Sequence, residues 1–406
     1  MHNETKWTAN HLPKIGAAER LALMSLQTVE KVRTFHQSFP QYKPTPLISL
    51  GQLAGRLGIG GIYIKDESQR FGLNAFKVLG GSYAVASFIA RETGLDISQL
   101  DYAQLTAPET KKQLGDYTFF TATDGNHGRG VAWAASQIGQ QAVVYMPRGS
   151  SPVRLANIRR LGARADILDM NYDAVVRHAY AESQKTPRSV AIQDTAWEGY
   201  EEIPGWVMQG YATMALETLE QMQALGAERP THVFLQAGVG SMPAGISAFL
   251  ANRFPDACPL ITVVESNAAD CLFQSALKGD GSTVAVGGDH VTIMAGLACG
   301  EANVIAWDIL REKAGFFAAL PDYAAAHAMR MLASPLPGDA PVTSGESGAA
   351  GMACLLEALT NPACENFKQA LGLDENSRVL LFSTEGDTDP AHYRDIVWKG
   401  KYPVPY

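Results

Sequence analysis

The sequence lacks the features that mark membrane-spanning, secreted and nucleic-acid-binding proteins. No uninterrupted apolar run in its 406 residues approaches the roughly 18 residues that a membrane helix needs. The N-terminus, "MHNETKWTANHLPKIGAAER", contains no apolar signal core. Only 18% of the residues are charged, the net charge is −8, and no basic cluster suits a phosphate backbone. We therefore expect a cytoplasmic protein with neither a membrane nor a nucleic acid as partner.

Metal-binding patterns are also missing. The chain contains five cysteines: Cys258, Cys271, Cys299, Cys354 and Cys364. They show neither a CxxC motif nor a Cys/His metal-ligand spacing, so we expect reduced and mostly buried thiols, although a pair such as Cys271 with Cys299 stays open. The acids Glu385, Asp387 and Asp389 lack EF-hand-like spacing and are expected to cap a helix or lie in solvent. We predict no metal site.

What is present is the composition of a globular enzyme, with 46% hydrophobic residues. The length exceeds the ~250 to 300 residues at which a single core stops growing, so we expect two domains. Short β-branched or apolar runs alternate with longer amphipathic ones, a pattern typical of parallel sheets covered by helices. Strands are predicted at "GIYIKD", "YTFFTAT", "QAVVYM", "ADILDM", "SVAIQD", "HVFLQAG", "LITVVES" and "RVLLFST".

Helices are predicted between these strands, notably after Asn126 and over "WVMQGYATMALETLEQM". The polar stretch from Arg91 to Asp116 is interpreted as a surface excursion with some helix. The first ~30 residues are interpreted as an arm of uncertain structure.

The stretch "FGLNAFKVLGGSYA" places Lys77 in otherwise uncharged surroundings. We expect a helix entry with Asn74 as its N-cap and Lys77 in the first turn, where the helix dipole disfavours an ammonium. A lysine kept neutral, or converted to an imine, would relieve that conflict. The alternative is a stem that covers apolar surface while the ammonium reaches water.

Three other candidate sites follow predicted strands, where open parallel sheets bind ligands. In "TATDGNHGRG", glycines around Asn126 and His127 leave amides free for an anion such as a carboxylate, unless this is only a capped turn. In "LQAGVGSMPAGI", residues Gly238, Val239, Gly240, Ser241 and Met242 suit a single phosphate, since neither a P-loop nor a dinucleotide fingerprint is present. In "LLFSTEGDTD", Ser383 and Thr384 offer hydroxyls to a ring nitrogen.

These segments together resemble a known family. "KDESQRFGLNAFKVLGGSYA", "TATDGNHGRGVAWAA", "MNYDAVVRHA", "QDTAWEGY", "QAGVGSM", "IMAGLACGE", "SGESGAAG" and "STEGDTD" are similar to the pyridoxal-phosphate enzymes of the tryptophan synthase β type, fold type II, and within them to the diaminopropionate ammonia-lyases. The resemblance runs from about Tyr42 to the C-terminus.

The resemblance implies an α/β fold of two open, twisted, mostly parallel sheets flanked by helices. It implies that residues 1–80 and 200–406 form a large cofactor-binding domain and residues 81–199 a smaller α/β domain, with pyridoxal 5'-phosphate in the cleft between them. A homodimer is implied by analogy with other enzymes of this fold.

The family's cofactor-binding residues match positions of this sequence. Lys77 matches the lysine that holds the cofactor as an internal aldimine, and Asn126 matches the asparagine beside its 3-hydroxyl. The turn 238–242 matches the phosphate cup. Ser383, or its neighbour Thr384, matches the hydroxyl that meets the pyridine nitrogen, an arrangement that favours elimination over a long-lived quinonoid.

Two acids distinguish this chain within the fold. Asp124 stands where most enzymes of the fold carry Ser or Thr, and a carboxylate there can take a Cα proton on the face that Lys77 does not reach, unless it is only an N-cap. Asp194 would contact a β-ammonium group of the substrate, unless it caps a strand end. Asn126 and His127 complete the expected substrate site, and Trp197 and Tyr200 are expected to pack its wall.

The predicted reaction is the α,β-elimination of D- and L-2,3-diaminopropionate, through an external aldimine and aminoacrylate, to pyruvate and two ammonia. The partner is thus a small amino-acid substrate. A serine or threonine dehydratase of the same fold is the alternative enzyme. A catalytically silent protein that binds the cofactor or an amino acid is the alternative from another class.

Overall fold

The computed structural model describes residues 4–405 and shows two β-sheets in this part of the chain, both covered by helices. The strands are β1 (Lys6–Ala9), β2 (Leu47–Ser49), β3 (Gly61–Asp66), β4 (Thr118–Ala122), β5 (Gln141–Met146), β6 (Arg164–Ile167), β7 (Ser189–Ala191), β8 (His232–Gln236), β9 (Leu260–Ser266), β10 (Ala314–Leu320) and β11 (Arg378–Ser383). Each of the predicted strands overlaps one of these.

The larger sheet has seven strands in the order β1-β10-β9-β8-β11-β3-β2, and the smaller has four in the order β6-β5-β4-β7. Only the two edge strands of the larger sheet, β1 and β2, pair antiparallel with their neighbours. The other pairings in both sheets are parallel. The expected fold of two mostly parallel sheets is therefore confirmed.

Helices fill the connections between the strands. They are α1 (Ala18–Ala22), α2 (Leu26–Gln37), α3 (Gly51–Leu57), α4 (Val78–Thr93), α5 (Tyr102–Leu105), α6 (Pro108–Leu114), α7 (Asn126–Gln137), α8 (Pro152–Arg159), α9 (Tyr172–Lys185), α10 (Glu202–Ala224), α11 (Ser241–Arg253), α12 (Cys271–Lys278), α13 (Val304–Lys313), α14 (Asp322–Ala333), α15 (Ala350–Thr360), α16 (Glu365–Leu371) and α17 (Pro390–Val397). Short 3-10 helices cover Glu67–Gly72, Ala295–Leu297 and Pro362–Cys364.

The helix predictions are confirmed by α7, by α10, and by the short α5 and α6 within the polar 91–116 segment. Among the helices of residues 4–405, none has both the length and the apolar composition to cross a membrane. The N-terminal arm has more structure than expected, because β1 joins the larger sheet beside β10. Residues 1–3 of that arm lie outside the described residues.

The start of α4 differs from the prediction. The helix begins at Val78, Lys77 itself holds the N-cap position, and no side chain caps it. Asn74 is not the N-cap. Its backbone has φ of 59°, a left-handed conformation that asparagine tolerates, and its side-chain amide donates to Asp387 at 3.1 Å. The chain therefore turns sharply before the helix and presents Lys77 at the helix end.

Close helix packing fixes the position of that end. A Cβ atom on Gly210 of α10 would lie 2.4 Å from the Leu79 carbonyl oxygen of α4. A Cβ atom on Gly130 of α7 would lie 2.9 Å from Cα of Val78. Because only glycine allows such backbone approaches, α7 and α10 clamp the first turn of α4 from two sides. Lys77 is thus carried on a rigid junction of three helices.

The division into domains at residues 80 and 199 stays a prediction. The strands of the smaller sheet all lie between these boundaries, and those of the larger sheet lie outside them. However, α4 runs across the boundary at residue 80 and packs closely on α10, which lies beyond residue 199.

Candidate active site

One inner cavity, at the carboxyl ends of β4, β8 and β11, gathers most of the predicted site residues. Those that border it are Lys77, Asp124, Asn126, His127, Asp194, Gly238, Val239, Gly240, Ser241, Met242 and Thr384. This is the edge at which parallel sheets bind ligands, because strands end there and helices begin. The three candidate loops, far apart in the sequence, therefore form a single site.

Lys77 and Asp194 form an ion pair inside this cavity. The Lys77 Nζ atom contacts Oδ2 of Asp194, and the two side chains are 18% and 2% exposed. Burial disfavours the Lys77 ammonium, yet Asp194 outweighs this effect and raises the pKa of Lys77 above its usual value. Burial likewise opposes ionisation of Asp194, but the Lys77 ammonium lowers its pKa to about 2. The pair is thus charged on both sides.

Asp194 also connects the lysine to the rest of the cavity. Its Oδ1 atom accepts a hydrogen bond from the Tyr172 hydroxyl at 3.2 Å, and its backbone carbonyl accepts one from the Ser241 hydroxyl. The side chain does not cap a strand end, because it points at Lys77. Asp194 therefore fixes the distance between Lys77 and the glycine turn.

The glycine turn, residues 238–242, leads from β8 into α11. Gly240 has φ of 97°, which suits glycine, and holds the N-cap position of α11. A Cβ atom on Gly238 would lie 2.9 Å from the Cys299 sulfur atom, so this backbone is pressed against the cavity wall. The first amides of a helix have no intrahelical acceptor, and the helix dipole favours an anion there. The turn is suited to a phosphate.

Asn126 and His127 stand at the start of α7. The Asn126 side-chain amide donates to Glu385 at 2.6 Å. His127 Nε2 donates to the Ile192 carbonyl at 2.9 Å, and its Nδ1 lies 4.0 Å from Asp194 Oδ2. Burial lowers the pKa of His127 below its usual value, so the ring is neutral near pH 7.

Asp124 lies where the inner cavity opens outward. It borders both the inner cavity and an outer chamber of about 480 Å³. It is not the N-cap of α7, since Gly125 holds that position and no side chain caps the helix. The carboxylate instead contacts Nη1 of Arg154 at 3.4 Å.

In the loop after β11, the two predicted hydroxyl residues point in different directions. Thr384 borders the cavity and accepts a hydrogen bond from the Gln236 amide at 3.1 Å. Ser383 turns away and donates to the Ser344 hydroxyl at 2.8 Å. Of the two hydroxyls, Thr384 is the one that a ligand in the cavity would meet.

The acids of this loop only partly follow the prediction. Asp389 caps α17, as expected. Asp387 is half-buried and accepts from Asn74, so it neither caps nor lies free in solvent. The prediction that Glu385 caps a helix or lies in solvent is wrong. Glu385 is buried, borders the cavity, and accepts hydrogen bonds from the Asn126 side chain and the Ser347 backbone amide. Burial raises its pKa, and the nearby Arg154 opposes that effect.

Trp197 and Tyr200 were expected to pack the cavity wall, and the five cysteines were expected to be reduced and mostly buried. Trp197 and Tyr200 stack on each other, with ring centroids 4.3 Å apart, and neither borders the inner cavity. The five cysteines, all within residues 4–405, are free thiols. The open pairing of Cys271 with Cys299 is therefore not formed. Four of the thiols are buried and Cys258 is half-buried, in agreement with the expected burial.

Several cavity residues were not predicted to be site residues. They are Phe76, Tyr172, Gln236, Cys299, Ser347 and Glu385. All six lie within segments that carry the family resemblance, yet composition alone does not tell which member of a segment faces a ligand. Gln236 closes β8 and Glu385 lies two residues after β11, so a strand-end position was available for both.

Two buried polar atoms at the cavity wall lack a hydrogen-bond partner among residues 4–405: His127 Nδ1 and Gln236 Oε1. Such atoms are costly unless a ligand or water satisfies them. Together with a lysine, a glycine turn and the Thr384 hydroxyl, these two acceptors form a polar set that fits a phosphorylated aldehyde with a polar aromatic ring.

Comparison with known proteins agrees with this chemistry. Residues 39–383 match the family model described as pyridoxal-phosphate dependent enzyme. The chain belongs to this family. It is 50% identical over 403 residues to the diaminopropionate ammonia-lyase of Salmonella typhimurium, covering 99% of this chain and 100% of that protein.

Solved structures of diaminopropionate ammonia-lyase from Escherichia coli have the same fold. The complex with D-serine matches with a TM-score of 0.91, and the complex with an aminoacrylate-PLP azomethine reaction intermediate with a TM-score of 0.90. Both are 44% identical to this chain, and each match covers 99% of this chain and 99% of the solved one. The chain therefore shares the fold of that enzyme over nearly its whole length.

Proposed function

We propose that this protein is a diaminopropionate ammonia-lyase that converts D- and L-2,3-diaminopropionate and water to pyruvate and two ammonia. The observation that carries the proposal is that Lys77, Asp124 and Asp194 all border one cavity beside a phosphate-sized glycine turn. The identity of 50% with the Salmonella typhimurium enzyme supports the same substrate.

Pyridoxal phosphate is the family's cofactor, and the site offers a partner for each of its polar groups. Lys77 would hold its aldehyde carbon, the turn 238–242 its phosphate, Asn126 its 3-hydroxyl and Thr384 its ring nitrogen. When bound, the cofactor supplies a conjugated ring that draws electrons from the bonds at Cα of an amino acid.

Asp194 binds the β-ammonium of the substrate. It is a carboxylate with 2% exposure, and the Lys77 ammonium is its cation in this structure. A buried carboxylate that loses its cation is costly, so once Lys77 is uncharged a second ammonium in the cavity takes its place. Diaminopropionate carries such a group at Cβ, whereas serine carries a hydroxyl. This difference favours the diamine and makes ammonia the leaving group.

Lys77 and Asp124 remove the Cα proton from the two isomers. They reach the cavity from separate elements, Lys77 from the start of α4 and Asp124 from the loop after β4. Two bases in different positions allow abstraction from opposite configurations at Cα. We assign Asp124 to the D isomer and Lys77 to the L isomer.

The alternative enzyme, a serine or threonine dehydratase, needs neither Asp124 nor Asp194. Rates of pyruvate formation from diaminopropionate and from serine separate the two activities. We expect kcat/KM to be higher for diaminopropionate, and a higher value for serine would reject the proposal. Release of ammonia also excludes a silent binding protein.

We further propose a homodimer that acts in the cytoplasm, supported by analogy with enzymes of this fold. Light scattering should give about twice the chain mass of 43.6 kDa. A mass equal to one chain would reject the dimer.

A further inference from the structure

Arg154 is a buried cation that the mechanism above does not use. It lies on α8, its side chain is 7% exposed, and it faces three carboxylates: Asp124, Glu346 and Glu385. A single guanidinium therefore stands among three acids at the junction of the inner cavity and the outer chamber. Such a group is retained at a cost, because buried charges need close compensation.

The contacts of Arg154 are divided between the two sides of the cavity. Nη1 lies 3.4 Å from Asp124, whereas Nη2 lies 3.7 Å from Glu346 and 3.8 Å from Glu385. Nε donates to the Thr388 hydroxyl at 3.2 Å, which fixes the plane of the guanidinium. Glu346, Glu385 and Thr388 all come from segments near the larger sheet, and Asp124 from a loop of the smaller one. The guanidinium thus bridges the two.

The stem of Arg154 is held as firmly as its charged end. A Cβ atom on Gly125 would lie 2.8 Å from Cδ of Arg154, so the stem packs directly on the backbone next to Asp124. The arginine cannot shift without moving the loop that carries that carboxylate.

We propose that Arg154 is a positioning residue for Asp124, holding its carboxylate at the inner cavity so that it can act on the D isomer. This inference rests on the proposed function. Without the cation, no guanidinium would separate Asp124 from Glu346 and Glu385, and like charges on one side of the cavity drive one carboxylate to turn away or to take up a proton. Either outcome removes Asp124 as a base.

Lys77 is independent of this contact. Its ammonium forms its ion pair with Asp194, which is not one of the three carboxylates that Arg154 contacts. Loss of Arg154 also disturbs Glu385 and, through it, Asn126, which affects both isomers alike. The ratio of activity on the D isomer to activity on the L isomer therefore distinguishes a positioning role from a general structural role.

The test compares the variants Arg154→Gln and Arg154→Lys with wild-type holoenzyme. Pyruvate formation from each isomer gives kcat and KM, and α-deuterated substrates give the isotope effect on proton removal. Arg159→Gln is the matched control, since Arg159 lies on the same helix but is 53% exposed and pairs with Asp166.

For Arg154→Gln we expect the ratio of kcat/KM for the D isomer to kcat/KM for the L isomer to fall by at least about tenfold. The fall should come from a lower kcat for the D isomer. The isotope effect should rise for the D isomer and stay unchanged for the L isomer. Arg154→Lys, which keeps the charge, should recover part of the ratio, and it serves as the test if the glutamine variant does not fold. Arg159→Gln should leave both isomers unaffected.

Equal losses for both isomers with no isomer-specific isotope effect would mean a structural role and would overturn the inference. Wild-type enzyme that forms no pyruvate from either isomer would instead overturn the proposed function, and with it this inference.

Discussion

The Nζ atom of Lys77 contacts the Oδ2 atom of Asp194 inside the cavity, so a lysine and a buried carboxylate neutralise each other. Each keeps the other charged in a place where burial alone would discharge both. The stability of the cofactor-free protein therefore depends on both charges.

Replacing Lys77 by alanine leaves Asp194 buried without a cation. We expect Lys77→Ala to lower the free energy of unfolding of the cofactor-free protein by about 3 kcal/mol. The double variant Lys77→Ala with Asp194→Asn should recover part of this loss, because its amide carries no charge. Chemical denaturation measures both values. A double variant no more stable than the single one would show that the charge of Asp194 is compensated elsewhere.

Asp124→Asn should act on one isomer. We expect kcat for the D isomer to fall by about a hundredfold or more, because an amide cannot accept the Cα proton, while the L isomer keeps most of its activity. Initial rates of pyruvate release from each pure isomer measure the effect. Equal losses for both would reject the use of two bases.

Gly238→Ala should weaken cofactor binding. Its new methyl group would lie 2.9 Å from the Cys299 sulfur and 3.1 Å from the Gly296 carbonyl oxygen, so the turn must shift. Overpacking of this kind costs about 1 to 3 kcal/mol, and we expect at least about a tenfold weaker affinity for pyridoxal phosphate.

The matched control for this change is Gly205→Ala, because a Cβ atom on Gly205 in α10 meets no heavy atom within 4 Å. Titration of the cofactor-free proteins, followed by absorbance, gives both affinities. Similar affinities for the two variants would argue against the turn as the phosphate site.

His36 makes the protein less stable in acid. Its Nε2 donates to the Leu79 carbonyl at 3.0 Å, its Nδ1 accepts from the Thr213 hydroxyl at 2.8 Å, and burial lowers its pKa to about 3. The folded pKa lies below the unfolded value near 6.5, so this stabilisation is complete above that value and is lost as pH falls toward 3. Between about pH 7 and about pH 5 the loss should be about 2 kcal/mol.

The variant His36→Gln does not titrate at this position. Its free energy of unfolding should therefore fall less than that of the wild type over the same pH range, by about 2 kcal/mol. Urea denaturation at the two pH values makes the comparison. Identical pH dependence in both proteins would contradict the assignment to His36.

Strands rich in β-branched residues could be predicted from the sequence, because their composition alone favours strand. The structure adds β1, β2 and β10. The β10 segment "AGFFAAL" is rich in alanine, and it is a strand because it pairs with β9 inside the larger sheet. Edge strands β1 and β2 are short, and their conformation depends on partners distant in sequence.

In the candidate site, too, features set by local sequence could be predicted, whereas features set by distant contacts could not. Local glycine patterns predicted the turns around Asn126 and Gly240, where backbone geometry is decided nearby. Glu385 was missed as a buried residue because its burial depends on Arg154 of α8 and on Asn126 of α7. Asn74 was assigned as a cap because its residue type suits both a cap and the left-handed turn that it forms.

The most direct test of the account is the ratio of ammonia to pyruvate released from D- and from L-2,3-diaminopropionate, with the visible absorption spectrum recorded for wild type and Lys77→Ala. We predict two ammonia per pyruvate from both isomers, a visible cofactor band in the wild type, and loss of both the band and the products in the variant. A colourless wild type, or an unchanged band in Lys77→Ala, would contradict the central role of Lys77.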